Sequence, residues 1–564
     1  MENNLREKID IRLKLHPEAE WIELSVEEGT TLEELLYRFD EQNHTDVLAA
    51  KTSRFERKVI SLKEKIVQEE DYEFLDMSEP SANQIYQRSL IFMYLKAVHD
   101  ILGEDRVIVA NSLNKGIYTE IRGAKSVTAY EVKRLYEYMR GMSAANLPFE
   151  QKILPAAEAL EHLESQGSLE TKKMFEKLRW SQIPMYSLDV YESFFYDFLA
   201  PSTGYIRYFE LKKYRRGILL RFPHPDQPNV IPEYRDDKKL YQAFGEATRW
   251  LKLMDMEYVS DLNERVRDGS YRQLIQVSEA LHEKRIAEIA DMIAKQKKRI
   301  ILIAGPSSSG KTTFAQRLCT QLRVNGLKPI YLGTDDYFVD REFVSKDAKG
   351  EYNFEDLEAV DVALFNEHMN RLLAGEEVDV PIYNFISGKK EFGKRFLKIS
   401  ADQPIVIEGI HGLNEKLTEK IEAEAKFKIY ISPLTQINID EHNRIPTTDA
   451  RLLRRIVRDS QFRNYPAQRT IKMWKKVREG EDKNIFPYNG EADVLFNSVH
   501  LYELAVLKKY AQPLLSDISA EEPEYTEATR LLKFLRLFEV IGDDRSIANN
   551  SILREFIGGS VFVD

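Results

Sequence analysis

Two rhythms of apolar and polar residues divide the chain. Up to about residue 259, short alternating stretches are mixed with helical ones. Residues 21–26 alternate, as a half-buried strand does. Thr31 and Glu34 then stand at capping-box spacing and open a helix. Further strands are predicted at 47–51, 72–75, 107–110, 204–209 and 217–223. Leu90, Tyr94, Ala97 and Ile101 share one face of a helix that ends near Gly103. From 260 to 298 the pattern is polar and helical, with Leu274, Val277, Leu281 and Ile286 suggesting a partly buried face. From residue 299 the rhythm changes. Residues 300–304 are wholly apolar, as a central parallel strand is, and strands near 329–332, 405–407, 427–431 and 494–496 alternate with helices.

This pattern predicts five segments: a small α/β module at 1–76, an α+β region at 77–259, a helical connector at 260–298, an α/β domain with a doubly wound parallel sheet at 299–515, and a helical tail at 516–564. Composition changes this picture little. A hydrophobic fraction of 43% with 31% charged residues is that of a globular chain. A single cysteine, Cys319, excludes an internal disulfide and reads as a small core residue. No apolar run approaches the ~20 residues of a membrane helix, so no membrane partner and a cytoplasmic location are expected. A net charge of −11 argues against a dedicated nucleic-acid coat.

Candidate chemistry concentrates after residue 304. Gly305, Pro306, Ser307, Ser308, Ser309, Gly310, Lys311 and Thr312 satisfy the full Walker A pattern between a predicted strand and a predicted helix, with Thr313 next. Such a loop turns backbone N–H groups and a helix N-terminus toward phosphate oxygens. Lys311 suits the β- and γ-phosphates and Thr312 a Mg²⁺ ion, so ATP and Mg²⁺ are the expected cofactors. The second strand ends in Asp335 and Asp336, placed by a doubly wound sheet at the ligand crevice. Glu408 closes the apolar strand 405–407, in the manner of a Walker B carboxylate. Arg451, Arg454, Arg455 and Arg458 follow on one helix, with Arg463 beyond it. Arg451, Arg455 and Arg458 share a face, which reads as a guanidinium lid over a phosphoryl group. No Asn-Lys-x-Asp motif follows the loop, which counts against a GTPase.

These elements in this order resemble the uridine kinase and phosphoribulokinase family over residues 299–515. The resemblance implies an ATP-dependent kinase acting on a small-molecule hydroxyl, most simply the 5′-hydroxyl of a nucleoside. It implies Asp335 as general base, Glu355 at the ribose hydroxyls, and Phe338 and Tyr383 beside the base. Lys311 and Arg455 would share in catalysis, Thr312 and Glu408 would hold the metal, and Arg455, Arg458 and Arg463 would meet phosphate or substrate. Departures are Gly388 where uridine kinases place a base-reading histidine, Asn464 and Tyr465 in place of Gly-Arg, and Glu355 in place of aspartate. They leave the nucleoside unspecified. Residues 1–76 resemble a TGS domain and 77–259 the editing-type second additional domain of threonyl-tRNA synthetases. Arg88, Phe92 and Asn111 stand where that domain carries histidines, so neither metal binding nor aminoacyl-tRNA hydrolysis is expected there. His99 and His162 read as isolated. Two other readings stay open: a same-family kinase for a sugar phosphate or pantothenate-like alcohol, and an ATP-sensing regulator whose N-terminal half contacts RNA. A homo-oligomer is also left open.

Overall fold

A computed structural model describes residues 8–104, 106–122, 126–346, 350, 352–434 and 437–563. The N-terminal module is a mixed five-stranded sheet, with Lys8–Lys14 parallel to Asp71–Asp76 and antiparallel to Ile22–Glu27. The helix Leu32–Phe39 crosses it. Thr31 accepts from the Glu34 amide, and the Glu34 carboxylate accepts from the Thr31 amide, so both ends of the capping box are closed. Ile22–Glu27 is an edge strand in which Val26 alone is buried, more exposed than its alternation predicted.

The helix Pro80–Leu102 is buried almost all round and carries the second region's core. A four-stranded antiparallel sheet (Val107–Leu113, Gly116–Ile121, Gly217–Arg221, Glu210–Tyr214) lies beside it, and a three-stranded one (Glu150–Pro155, Gln182–Leu188, Tyr191–Ser193) follows. The strand predicted at 204–209 is not there. A turn of 3₁₀ helix at Thr203–Tyr205 and irregular chain replace it. Tertiary bonds hold this backbone instead of a ladder: Thr203 Oγ1 donates to the Met142 carbonyl, and the Tyr208 amide to the Tyr86 hydroxyl.

Residues 299–515 contain a five-stranded, wholly parallel sheet in the order Ile330–Gly333, Ile405–Glu408, Ile300–Ala304, Lys426–Ser432, Val494–Asn497. The central strand is fully buried, as its unbroken apolar run requires. The connector forms two helices, Val259–Asp268 and Tyr271–Lys295, and the second packs on Lys311–Val324, which follows the phosphate loop. Leu274 and Ile286 are buried as predicted and Leu281 is half-buried. Val277 is exposed, while Ser278 and His282 are buried against His500 and the Val499 carbonyl. Apolar spacing could not show that Ser278 and His282 share the packed face.

Residues 437–446 run back into the N-terminal half. The Val109 amide donates to the Glu441 carbonyl, Asn438 Nδ2 to the Val109 carbonyl and Asn443 Nδ2 to the Phe194 carbonyl. The C-terminal tail is a strap rather than an appendage. It meets the N-terminal module where the Arg57 amide donates to the Ala520 carbonyl, and it meets the helix Thr447–Phe462 through a two-point Arg530–Asp449 pair. Among the described residues no helix is long and apolar enough to cross a membrane.

Candidate active site

The phosphate loop joins the central strand to the helix Lys311–Val324. Two glycines are required by its path. Gly310 sits at φ +85°, and a Cβ on Gly305 would lie 1.9 Å from the Ile431 carbonyl oxygen. Gly305→Ala must therefore push the loop off its neighbouring strand. The expected loss is about 1–3 kcal/mol of stability, as for other overpacked sites, with weakened nucleotide binding; thermal unfolding and an ADP titration read both.

Lys311 Nζ donates to the carbonyls of Gly305 and Pro306, 3.0 and 3.2 Å away. The hydroxyls of Ser308 and Ser309 are buried without a partner among the described residues. These two hydroxyls are available to phosphate oxygens, so the loop fits a polyphosphate. Thr312 Oγ1 and the Tyr331 hydroxyl both donate to Glu408 Oε1, each at 2.8 Å. A hydroxyl and a carboxylate in contact at the phosphate end of the loop form a donor set of the kind Mg²⁺ takes beside a phosphate.

The strand Ile330–Gly333 ends beside Glu408 of the neighbouring strand and passes into a 3₁₀ turn that carries Asp335. The two adjacent aspartates part company there. Asp336 pairs with Arg395 at 2.8 Å and accepts from the Tyr383 amide, a bracing role. The Asp335 carboxylate makes no hydrogen bond or ion pair among the described residues, and the residue is exposed. Protein surrounds it on most other sides; that desolvation, then the charge of Glu408, pushes its carboxyl up to about 7. Glu355 lies against Gly480, and burial, then the charge of Glu481, raises its carboxyl as well. Phe338 meets Tyr383 edge-on at 5.6 Å and Phe354 at 5.2 Å, and Phe385 stands 5.1 Å from Tyr383. These rings form an aromatic cluster in which Phe338 and Tyr383 are buried and Phe385 is exposed. At Gly388, Arg341 lies where a Cβ would stand, 2.8–2.9 Å from it, and donates to the Phe385 carbonyl.

The arginines divide by position. Arg451 and Arg454 are buried, the first paired with Glu481 and the second with Glu503, and both reach carbonyls of the phosphate loop. They brace the loop from behind. Arg455 Nη1 donates to Ser307 Oγ at 2.6 Å. Arg455, Arg458 and Arg463 converge on the buried Asp459, at 3.4, 2.7 and 3.6 Å. Glu481, Glu503 and Tyr331 were invisible to sequence reasoning, because nothing local ties them to partners 30 to 77 residues away. Phe385 lies in the turn just after the strand Ile382–Asn384, where alternation along a strand gives no signal for it.

In the N-terminal half, Arg88 pairs with Asp197 and donates to the Phe198 carbonyl, while Phe92 packs among Phe149, Tyr191 and Phe195. Asn111 lies at an irregularity in the strand Val107–Leu113. His162 is not isolated: its Nδ1 lies 2.6 Å from Glu192, and the His99 ring rests 5.3 Å from Tyr191.

Residues 300–505 match the model of the Phosphoribulokinase / Uridine kinase family. The uridine kinase of Mycoplasma genitalium is 31% identical over 178 residues, which are 32% of this chain and 74% of that protein. The chain belongs to this family. The uridine kinase of Ureaplasma parvum serovar 3 is 27% identical over 215 residues, 37% of this chain and 94% of that one. A solved structure of a possible uridine kinase from Bacillus stearothermophilus is 20% identical, with a TM-score of 0.25, and covers 37% of this chain and 96% of that chain. This phosphoribulokinase/uridine kinase family member is an ATP-dependent phosphotransferase that acts on an alcohol. The family model leaves residues 1–299 and 506–564 outside it.

Proposed function

We propose that the protein transfers the γ-phosphoryl group of ATP to the 5′-hydroxyl of a nucleoside. The observation that supports this reading is the Asp335 carboxylate, without a hydrogen bond or ion pair among the described residues, three positions before Phe338 of the aromatic cluster with Phe354, Tyr383 and Phe385. A planar base would stack against the exposed part of this cluster, at Phe385. Glu355 would accept from ribose hydroxyls, and Asp335 would take the proton of the attacking hydroxyl. Lys311 and the amides of the loop from Gly305 to Thr313 would hold the phosphates. Thr312 and Glu408 would hold Mg²⁺, which supplies charge neutralisation at the phosphate oxygens when bound. Arg455, Arg458 and Arg463 would stabilise the transferring group from above. Positioning and electrostatics then supply most of the rate.

The test is ATP consumption with Mg²⁺ by the full chain against nucleosides, sugar phosphates and pantothenate, with Lys311→Ala as blank. The expected result is turnover with a nucleoside that the variant lacks. Turnover confined to a sugar phosphate or pantothenate would overturn the nucleoside assignment and leave the kinase standing.

A further inference from the structure

The C-terminal strap ends on the phosphate loop. Beyond the helix Tyr525–Leu535 the chain returns to the parallel-sheet domain, where Ser551 Oγ lies 3.4 Å from His500 Nε2. Ile552 and then a short helix, Arg554–Ile557, place three side chains against the loop region. Ile552 stands 2.4 Å from the position a Cβ on Gly310 would take. The Phe556 ring lies 5.0 Å from the Arg454 guanidinium carbon. Glu555 Oε2 accepts from both the Thr313 amide, at 3.1 Å, and the Thr313 hydroxyl, at 2.7 Å. Thr313 is completely buried beneath this contact.

Those two donors lie in the first turn of the loop helix, where the helix dipole and free N–H groups attract an anion. In a Walker A loop the backbone donors of this stretch cradle the α- and β-phosphates. An amide proton that points at Glu555 does not point at a phosphate, and the two anions would repel at contact distance. The position is also a costly one for a carboxylate. Burial, together with the charge of Glu408, raises Glu555 above its ordinary range, partly offset by the two Thr313 bonds. Apolar packing of Ile552 and Phe556 keeps it there.

We propose that residues 551–557 are a built-in competitor of the phosphoryl donor: Glu555 holds the α-phosphate donors of Thr313, and the nucleotide binds by displacing this segment. The proposal rests on the reading of the loop as the donor site. It makes the strap an autoinhibitory element, and Glu555 the residue that sets how tightly the nucleotide binds.

The experiment is ADP titration by calorimetry on the full chain, without acceptor, for the wild type, Glu555→Gln, Ile552→Ser and Lys311→Ala, with hydrogen exchange of residues 551–557 measured with and without ADP. Glutamine keeps an acceptor for Thr313 but removes the competing charge, so ADP binding is expected to tighten about tenfold, the worth of one charge-assisted contact. Ile552→Ser loosens the same segment with the carboxylate intact and is expected to shift affinity the same way. Exchange at 551–557 is expected to rise when ADP binds. Unchanged or weaker ADP binding in both variants, or slower exchange at 551–557 with ADP, would overturn the proposal and make the segment a fixed wall of the site. Lys311→Ala separates the two readings: if it binds ADP as the wild type does, the donor site itself lies elsewhere.

Discussion

Replacing Asp335 by asparagine is expected to lower kcat about 10²–10⁴-fold, the usual contribution of a positioned general base. The substitution is nearly isosteric, and the carboxylate braces no other described residue, so folding should be untouched. That separates Asp335 from Asp336, whose loss would free Arg395 and the hairpin amide of Tyr383. The pH dependence has a definite sign. Because desolvation by the surrounding protein and the charge of Glu408 push the Asp335 carboxyl up to about 7, the fraction ionised, and able to accept a proton, falls progressively below that pH. The wild-type kcat/KM is therefore expected to be flat on the alkaline side and to fall about tenfold per pH unit below about 7. The pH profiles of the wild type and Asp335→Asn are the measurement. Near-normal turnover by the variant, or an acid limb it retains, would remove Asp335 from the mechanism.

Arg454→Ala is expected to be the most destabilising single change in the parallel-sheet domain. The guanidinium is fully buried and bonds Glu503 at two points, 3.0 and 2.6 Å, with further bonds to the carbonyls of Ser498 and Ser308. Truncation leaves the Glu503 carboxylate buried without its counter-charge. Breaking such a pair costs about 3–5 kcal/mol, whereas replacing both partners by apolar residues of similar volume is often close to neutral. Denaturant unfolding of Arg454→Ala and of the double variant Arg454→Met/Glu503→Leu measures both. The double variant should recover most of the loss, and a single-variant cost below about 1 kcal/mol would show the pair to be dispensable. Nucleotide binding should suffer in either variant, because Arg454 also supports the loop at Ser308.

Some features were legible because they are local. The Walker A loop depends on consecutive residues, and the capping box at Thr31 and Glu34 spans four. The buried strand Ile300–Ala304 announces itself by having no polar residue at all. Misread elements share another cause. Residues 204–209 look like a strand, but Thr203 and Tyr208 commit their polar groups to Met142 and Tyr86, and no neighbouring strand is there to pair with them. The connector's buried face was read incompletely because Ser278 and His282 find hydrogen-bond partners in the interior, and a polar residue with a buried partner is indistinguishable in sequence from one facing water.

The sequence by itself determined the phosphate loop, the parallel-sheet domain that carries it, and the order of carboxylates and arginines that marks the family, since each rests on short-range spacing or on burial of a continuous apolar run. Only the tertiary structure decided which of two adjacent aspartates stays unpaired, which arginines brace the loop rather than face the cleft, and that Glu555, 242 residues away, ends on Thr313. Those are questions of which charges meet. A charge can be satisfied by water or by any opposite partner, and only the folded chain fixes which one it finds.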